Sequence, residues 1–376
     1  MNVHNARGLY RSSPTTLHHI AATAEAVTDL AAHLATHDSI GLDTEFLRER
    51  TYRAELCLLQ VSAADDAVCV DPLAVTRLEG LAGPLTADGV VKVMHASRQD
   101  LEVLLPAVGL VRPVFDTQIA AALAGFAAQV GYAELVRRLL GVELPKAHTR
   151  TDWSRRPLSP EQIEYALDDV RHLVPLKLAL EERLEKLGRM GWLAEELEGL
   201  ADARTLATDP EDAWRRLKGL RGLDPARERL VRGLAAWRER RAMERNRPRG
   251  WILDDAALRE AVVRVPRSLA ALQAITEMPA GVIRHCGEEL LACIAAANVP
   301  DPAPALDARQ RPDPARTALV KKLAAVNQAV ATELGISPEV LATRRDLERL
   351  AEGAEDVAVL RGWRRPVAGE KLLAAL

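Results

Sequence analysis

Asp43 and Glu45 stand two residues apart in GLDTEF, directly after a short apolar run. In a strand, residues i and i+2 point to the same side, so two carboxylates would leave one face at a strand end. Asp100, in HASRQDLEVL, falls near the start of a helix, where the dipole favours an acid. Tyr165 and Asp169, in YALDD, are four apart and share a helix face, whereas Asp168 is turned about 100° away. Taken singly, each has an ordinary explanation: a solvated strand end, a capped helix, a core tyrosine beside a surface acid. If one cleft gathers all four carboxylates, they form a hard-oxygen site suited to Mg²⁺ or Mn²⁺. Two such cations, about 3.5–4 Å apart, would serve an in-line displacement at phosphorus.

Those residues need elements to carry them. Ala21–His37 has the apolar spacing of an amphipathic helix, with Ala24, Val27, Leu30, Ala31 and Leu34 on one side. SIGLDTEF reads as a strand ending in carboxylates, AELCLLQVSA and DAVCVD as two more, and VVKVMHA as a fourth. Ser97 is the expected N-cap of the helix that carries Asp100. VFDTQIAAALAGF continues as a strand end plus helix, and YAELVRRLLGV as another helix. Strands first, then helices interleaved with strands, predict an α/β domain with a mixed sheet. Residues 157–186 read as one long helical region, opened by Ser159 and Pro160 and interrupted or kinked near Pro175. Beyond Gly188 the pattern is helical to the end.

In this order, a DxE after the first strand, an Asp in a later helix and a YxxxD on a late helix resemble the DEDD family of 3′→5′ exonucleases, in its tyrosine subgroup. GLDTEF, HASRQDLEVL, FDTQIAAAL and TDWSRRPLSPEQIEYALDDV are more closely similar to the ribonuclease D family, over about residues 17–190. The helical tail resembles the two HRDC domains that follow the nuclease in that family. The better match is around Ala213–Ala297; the weaker one, around Thr317–Leu376, rests mainly on GWRRPVAGEKLL. The resemblance implies a ribonuclease H-like exonuclease domain with a mixed sheet, followed by two all-α HRDC-like domains. It implies trimming of the 3′ ends of tRNA precursors and other small structured RNAs, releasing nucleoside 5′-monophosphates, with two divalent cations, Mg²⁺ or Mn²⁺. Asp43 would bridge both cations, Glu45 and Asp169 would hold the one on the nucleophile side, and Asp100 would support the leaving-group side. Tyr165 would orient the attacking water, because a free phenol, with a pKa of about 10, is a poor base at neutral pH.

Four further residues are candidates for contact with RNA, each with a structural alternative. His95 precedes the Asp100 helix and stands near the expected terminal phosphate or sugar. Lys146 and Arg156 flank TDW, and an arginine offers a fork of donors to phosphate. Phe46 follows the first carboxylates and offers a face to a terminal base, or else packs in the core. Asp152 and Trp153 read as structural.

Charge marks the domain boundaries. Residues 181–212 hold 10 acids against 4 bases, and residues 214–250 hold 13 bases against 4 acids. That reversal places a boundary near residue 210. Pro, Asp and Ala dominate residues 301–316, as in a linker. The expected plan is a leader over 1–16, an exonuclease domain over 17–205, an HRDC domain over 210–300, a linker over 301–316 and a second, degenerate HRDC-like domain over 317–376. The basic segment adds salt-dependent affinity for phosphates, while the helical spacing of Trp214, Trp237 and Trp251 favours core positions for them.

At 376 residues with 48% apolar and 27% charged, the chain is globular and built of several domains. Twenty-two glycines exclude a collagen-like repeat, and 4 cysteines without a CxxC pair exclude a disulfide scaffold and a zinc cluster. Buried reduced thiols fit a cytoplasmic protein. No run reaches the ~18 apolar residues of a membrane span, so no membrane partner is expected. A net charge of −3 and the lack of heptads give no cue for assembly, and a monomer is the default. Two rival readings stay open: a DNA 3′→5′ exonuclease and a catalytically inactive RNA-binding scaffold.

Overall fold

A computed structural model describes residues 20–75, 77–145, 151–200, 202, 206, 209–218, 223–300 and 313–376. The expected leader over 1–16, Lys146 and most of the expected linker lie outside the described residues. The chain divides into two compact units. One takes the described residues up to Leu47, those of Leu56–Leu206 and those from 313 onward; the other takes Arg48–Glu55 and the described residues of 209–300.

The first unit is built on a six-stranded mixed sheet in the order β1-β4-β3-β2-β5-β6. Its strands are β1 (Ile20–Ala21), β2 (Ser39–Leu47), β3 (Glu55–Ala63), β4 (Asp66–Val70), β5 (Val91–Met94) and β6 (Val114–Asp116). β2 runs parallel to β5, with Gly41 beside Val93, and β5 runs parallel to β6, with Met94 beside Asp116. β3 and β4 are antiparallel, with Gln60 beside Cys69. Only residues 48–54 join β2 to β3, too few for a crossover of a dozen or more, so this pair is antiparallel too.

The two-residue period of β2 sorts its side chains between two layers. Ile40 and Leu42 are fully buried in a core shared with Val27, Leu81, Leu101 and Leu104, under α1 (Ala24–Leu34), α2 (Ala82–Thr86) and α3 (Arg98–Val108). Gly41, Asp43 and Glu45 therefore face the other side, toward α6 (Pro160–Arg171) and α7 (Leu173–Lys186). A Cβ at Gly41 would lie 2.2 Å from Ser62 Oγ and 2.8 Å from the Val170 carbonyl oxygen. Only glycine lets the end of α6 come this close. Ser62 Oγ donates to that same carbonyl at 2.8 Å and holds the helix there.

The helix α6 starts as its sequence predicts. Ser159 accepts from the Gln162 amide, Gln162 Oε1 accepts from the Ser159 amide at 2.8 Å, and Pro160 opens the first turn. The helical region over 157–186 is interrupted rather than kinked: it is two helices that break at His172, and Pro175 sits in the first turn of α7. A proline there gives up no intrahelical bond, so it starts a helix and does not kink one.

The last segment shares the first unit's core. Leu323, Val330, Ala331, Leu350, Trp363 and Leu372 pack in one cluster with Leu123 and Phe126 after β6, with Leu180 and Leu184 of α7, and with Leu193. Trp363 stacks on Trp192 at 4.3 Å, its indole N–H donates to Glu196, and Arg189 donates to the carbonyls of Leu123 and Leu334. Its first helix, Pro314–Leu334, is capped by Asp313, inside the stretch read as linker.

The second unit is helical. Pro225–Arg245, capped by Asp224, packs Leu230, Leu234 and Trp237 against Leu258, Leu272, Leu290 and Ile294 of the helices that follow. Trp237 is buried as its spacing predicts. Trp251 is not: it is 59% exposed, with the Arg247 guanidinium 5.8 Å from its ring centre. A four-residue helix, Arg249–Ile252, turns the chain there and puts Ile252 in the core instead.

Candidate active site

The strand period and two helices assemble the five residues. Asp43 and Glu45 leave the α6 side of β2, and α6 brings Tyr165 and Asp169 over that side. Thr44 points to the opposite side, where its hydroxyl donates to Asp100 Oδ1 at 2.5 Å. That bond ties the first turn of α3 to the end of β2. The Tyr165 hydroxyl is hydrogen-bonded to Asp169, and its ring stacks on Trp153 at 6.1 Å. Asp168, as its rotation predicts, is elsewhere, paired with Arg171 Nη1 at 2.6 Å.

Burial and mutual repulsion dominate the electrostatics. Asp43 is held well above the usual carboxylate range, first by burial and then by Asp100, Asp169 and Glu45. Burial, then Asp169 and Asp100, push Glu45 up to about 8. Burial raises Asp100 to about 6 against the opposing Thr44 bond. It raises Asp169 to about 7 against the bond from Tyr165. Tyr165 itself is raised far above an ordinary phenol, by burial and then by Asp169 and Glu45. It stays protonated at any working pH and is a hydrogen-bond donor, not a base.

Four acids that disfavour each other's charge form a donor set that lacks positive charge. Hard carboxylate oxygens in such a group match Mg²⁺ or Mn²⁺. Asp43, Glu45 and Asp169 lie on the α6 side and Asp100 reaches the strand end from the α3 side: among the described residues, no three acids, histidines or cysteines are grouped closely enough to hold an ion. The residues present therefore fit divalent cations in chemistry, in an open arrangement.

The RNA-contact candidates fare differently. Both ring nitrogens of His95 meet protein, Nδ1 at 2.8 Å from Thr117 Oγ1 and Nε2 at 3.0 Å from the Val130 carbonyl. Burial lowers its pKa. His95 thus joins the end of β5 to the elements after β6. Arg156 turns inward as well: Nε and Nη2 reach the buried Asp71 at 2.7 and 2.8 Å, and its other donors reach the carbonyls of Cys57 and Trp153. That fork holds the TDW segment, and with it Trp153, on the sheet. Phe46 is half-buried next to Glu45. Asp152 caps its own turn through Ser154 and Arg155.

Two supporting residues are not singled out as site residues by the sequence, although Asp116 lies in FDTQIAAAL. Asp116 accepts from the amides of Ala96, Ser97, Gln118 and Ile119 and from the Ser97 hydroxyl. Ser97 therefore spends its hydroxyl on Asp116 and makes no side-chain cap to α3, although it stands at the N-cap. Asp71 is the buried partner of Arg156. Each stands at the end of a short apolar strand, and their partners, distant in the chain, give them their roles.

A family model for 3′-5′ exonucleases matches residues 18–185, and one for the HRDC domain matches residues 227–294. Ribonuclease D of Gluconacetobacter diazotrophicus is 42% identical over 94% of this chain and 91% of its own length. Ribonuclease D of Nitrobacter hamburgensis is 38% identical over 94% of each chain. The crystal structure of Escherichia coli RNase D, described as an exoribonuclease involved in structured RNA processing, superposes with a TM-score of 0.83 at 30% identity. That match covers 96% of this chain and 99% of the other.

Proposed function

The chain belongs to the ribonuclease D family of 3′-5′ exoribonucleases, and from that premise we propose that it trims structured RNAs, tRNA precursors among them, with two divalent cations held by Asp43, Glu45, Asp100 and Asp169. The observation that carries the reading is the cluster itself: four carboxylates at one strand end, each raised by burial or by the others. Divalent-cation dependence goes with the family; the number of cations and their ligands are our reading.

Bound there, the cations would supply ionisation of the attacking water and neutralisation of charge on the leaving oxygen. The chain's own residues orient the reaction. The Tyr165 hydroxyl donates a hydrogen bond to Asp169 and keeps its proton, which leaves its oxygen lone pairs free to accept. From there it accepts a hydrogen bond from the water and aims it at the terminal phosphorus. The water oxygen bonds to phosphorus as the P–O3′ bond breaks, one water proton ends on the 3′ oxygen of the shortened RNA, and a nucleoside 5′-monophosphate leaves. Trp153 holds the Tyr165 ring, and Arg156 holds the Trp153 segment. Phe46, beside Glu45, offers an apolar face to the terminal base.

We assign the helical unit a share in RNA binding through Trp251 and Arg247, an exposed ring under a guanidinium, which suits base stacking next to phosphate. No described helix is long and apolar enough to cross a membrane. The domain limits we favour are 17–205 for the exonuclease, 210–300 for HRDC and, because a helix opens at Pro314, 301–313 for a linker and 314–376 for a second HRDC-like segment, with a monomer as the working form.

The test is a trimming assay on a tRNA-like RNA with a single-stranded 3′ extension, with matched DNA, in Mg²⁺, in Mn²⁺ and in chelator. The expected result is stepwise shortening to 5′-mononucleotides that needs both a divalent cation and Asp43. Binding without shortening by folded wild type would instead establish a scaffold, and shortening of DNA alone a DNA exonuclease.

A further inference from the structure

Gln60 is fully buried in β3, and neither its amide nitrogen nor its amide oxygen has a hydrogen-bond partner among the described residues. A buried amide left unpaired gives up the hydrogen bonds it makes to water in the unfolded chain and gets none in return. No other glutamine among the described residues is buried. Its location gives the cost a purpose. Gly41 lies directly against Ser62, since a Cβ there would meet Ser62 Oγ at 2.2 Å. In an antiparallel pair the register then advances by two in opposite directions, so Asp43 stands across from Gln60 and Glu45 across from Leu58. Gln60 and Ser62 share a face, and Ser62 faces the end of α6 at Val170. Gln60 is therefore on the carboxylate side of the sheet, one strand from Asp43. The Thr44 backbone bond favours Asp43's charged form, against burial and three neighbouring acids.

We propose that Gln60 is a positioning residue for the carboxylate cluster: its Nε2–H group donates to Asp43 and fixes that carboxylate in the orientation that binds divalent cations. The step is small, a rotation of two facing side chains across one strand pair. Gln60 touches neither substrate nor cation. The inference rests on the cation-site reading above.

The test compares Mn²⁺ binding, followed by the paramagnetic resonance of free Mn²⁺, in full-length wild type, Gln60→Met and Asp43→Asn. Loss of an outer-shell partner typically weakens metal binding 10–100-fold, so Gln60→Met should bind Mn²⁺ roughly tenfold more weakly. Its urea midpoint in chelator should be unchanged or higher, because an unpaired buried amide has been removed. In the trimming assay kcat should fall while KM for RNA holds. A purely structural glutamine would leave Mn²⁺ affinity untouched.

Should Gln60→Met not fold, the wild type decides. In protein labelled with ¹⁵N-glutamine, the slowest-exchanging side-chain amide pair should shift on adding Mg²⁺, and no shift overturns the proposal. Unchanged Mn²⁺ affinity in Gln60→Met beside weakened binding in Asp43→Asn overturns the role of Gln60 and leaves the site standing. Unchanged binding in Asp43→Asn overturns the site and, with it, this inference.

Discussion

Glu45→Gln should stabilise the metal-free protein while destroying its activity. Burial, Asp169 and Asp100 lift Glu45 from 4.5 to about 8. Between those values the native protein keeps a proton that the unfolded chain has released. Stability therefore falls as pH rises through this window: the contribution is complete below pH 4.5 and gone above about 8. At pH 7 the loss amounts to about 3 kcal/mol, taking about 1.4 kcal/mol for each pH step. Glutamine has nearly the same shape and no charge to suppress, so the variant escapes the penalty and relieves Asp43 as well. The assay is urea unfolding in EDTA from pH 5 to 8.5. Wild type should lose stability along that range, and Glu45→Gln should have the flatter profile and the higher midpoint at pH 8. Adding Mn²⁺ should reverse the order, because wild type gains cation-linked stability that the variant lacks. A flat wild-type profile in EDTA, or a variant less stable than wild type at pH 8, would refute the electrostatic account of the cluster.

Three further outcomes follow from the same geometry. Tyr165→Phe should lower kcat about 100-fold, the scale of a misdirected nucleophile. The shape of its pH–rate profile should not change, because the raised phenol does not titrate in that range. Arg156→Met leaves Asp71 charged and buried, so it should cost about 3–5 kcal/mol in urea unfolding, with RNA affinity of the folded fraction unchanged; a selective loss of RNA affinity would restore Arg156 as a phosphate contact. In the helical unit, Tyr52 donates to the buried Glu239 at 2.6 Å, and Asn246 accepts from the amides of Tyr52 and Arg53. Tyr52→Phe should destabilise that unit by about 1–3 kcal/mol, read as faster amide exchange in the Pro225–Arg245 helix.

Sequence alone determined most of the elements and singled out the candidate residues of the site. The two-residue period of SIGLDTEF put Asp43 and Glu45 on one face, and the helical period of YALDD separated Asp169 from Asp168; both are local rules that hold wherever such elements form. The capping box at Ser159 is equally local. Tertiary structure decided what depends on neighbours distant in the chain. His95 and Arg156 looked like phosphate contacts by type and place, yet Thr117, Val130 and Asp71 consume their polar atoms. Trp251 had the spacing of a core residue and lies outside, because Ile252 takes the inward position. The last helices share a core with the nuclease, since the apolar faces of Leu323 and Trp363 find Leu180 and Trp192. Gly41 shows the division most clearly: its type is plain in the sequence, but its necessity comes from Ser62 and the Val170 carbonyl. The raised carboxyl groups are of the same kind, because burial and like charge belong to the assembled site and not to any one segment.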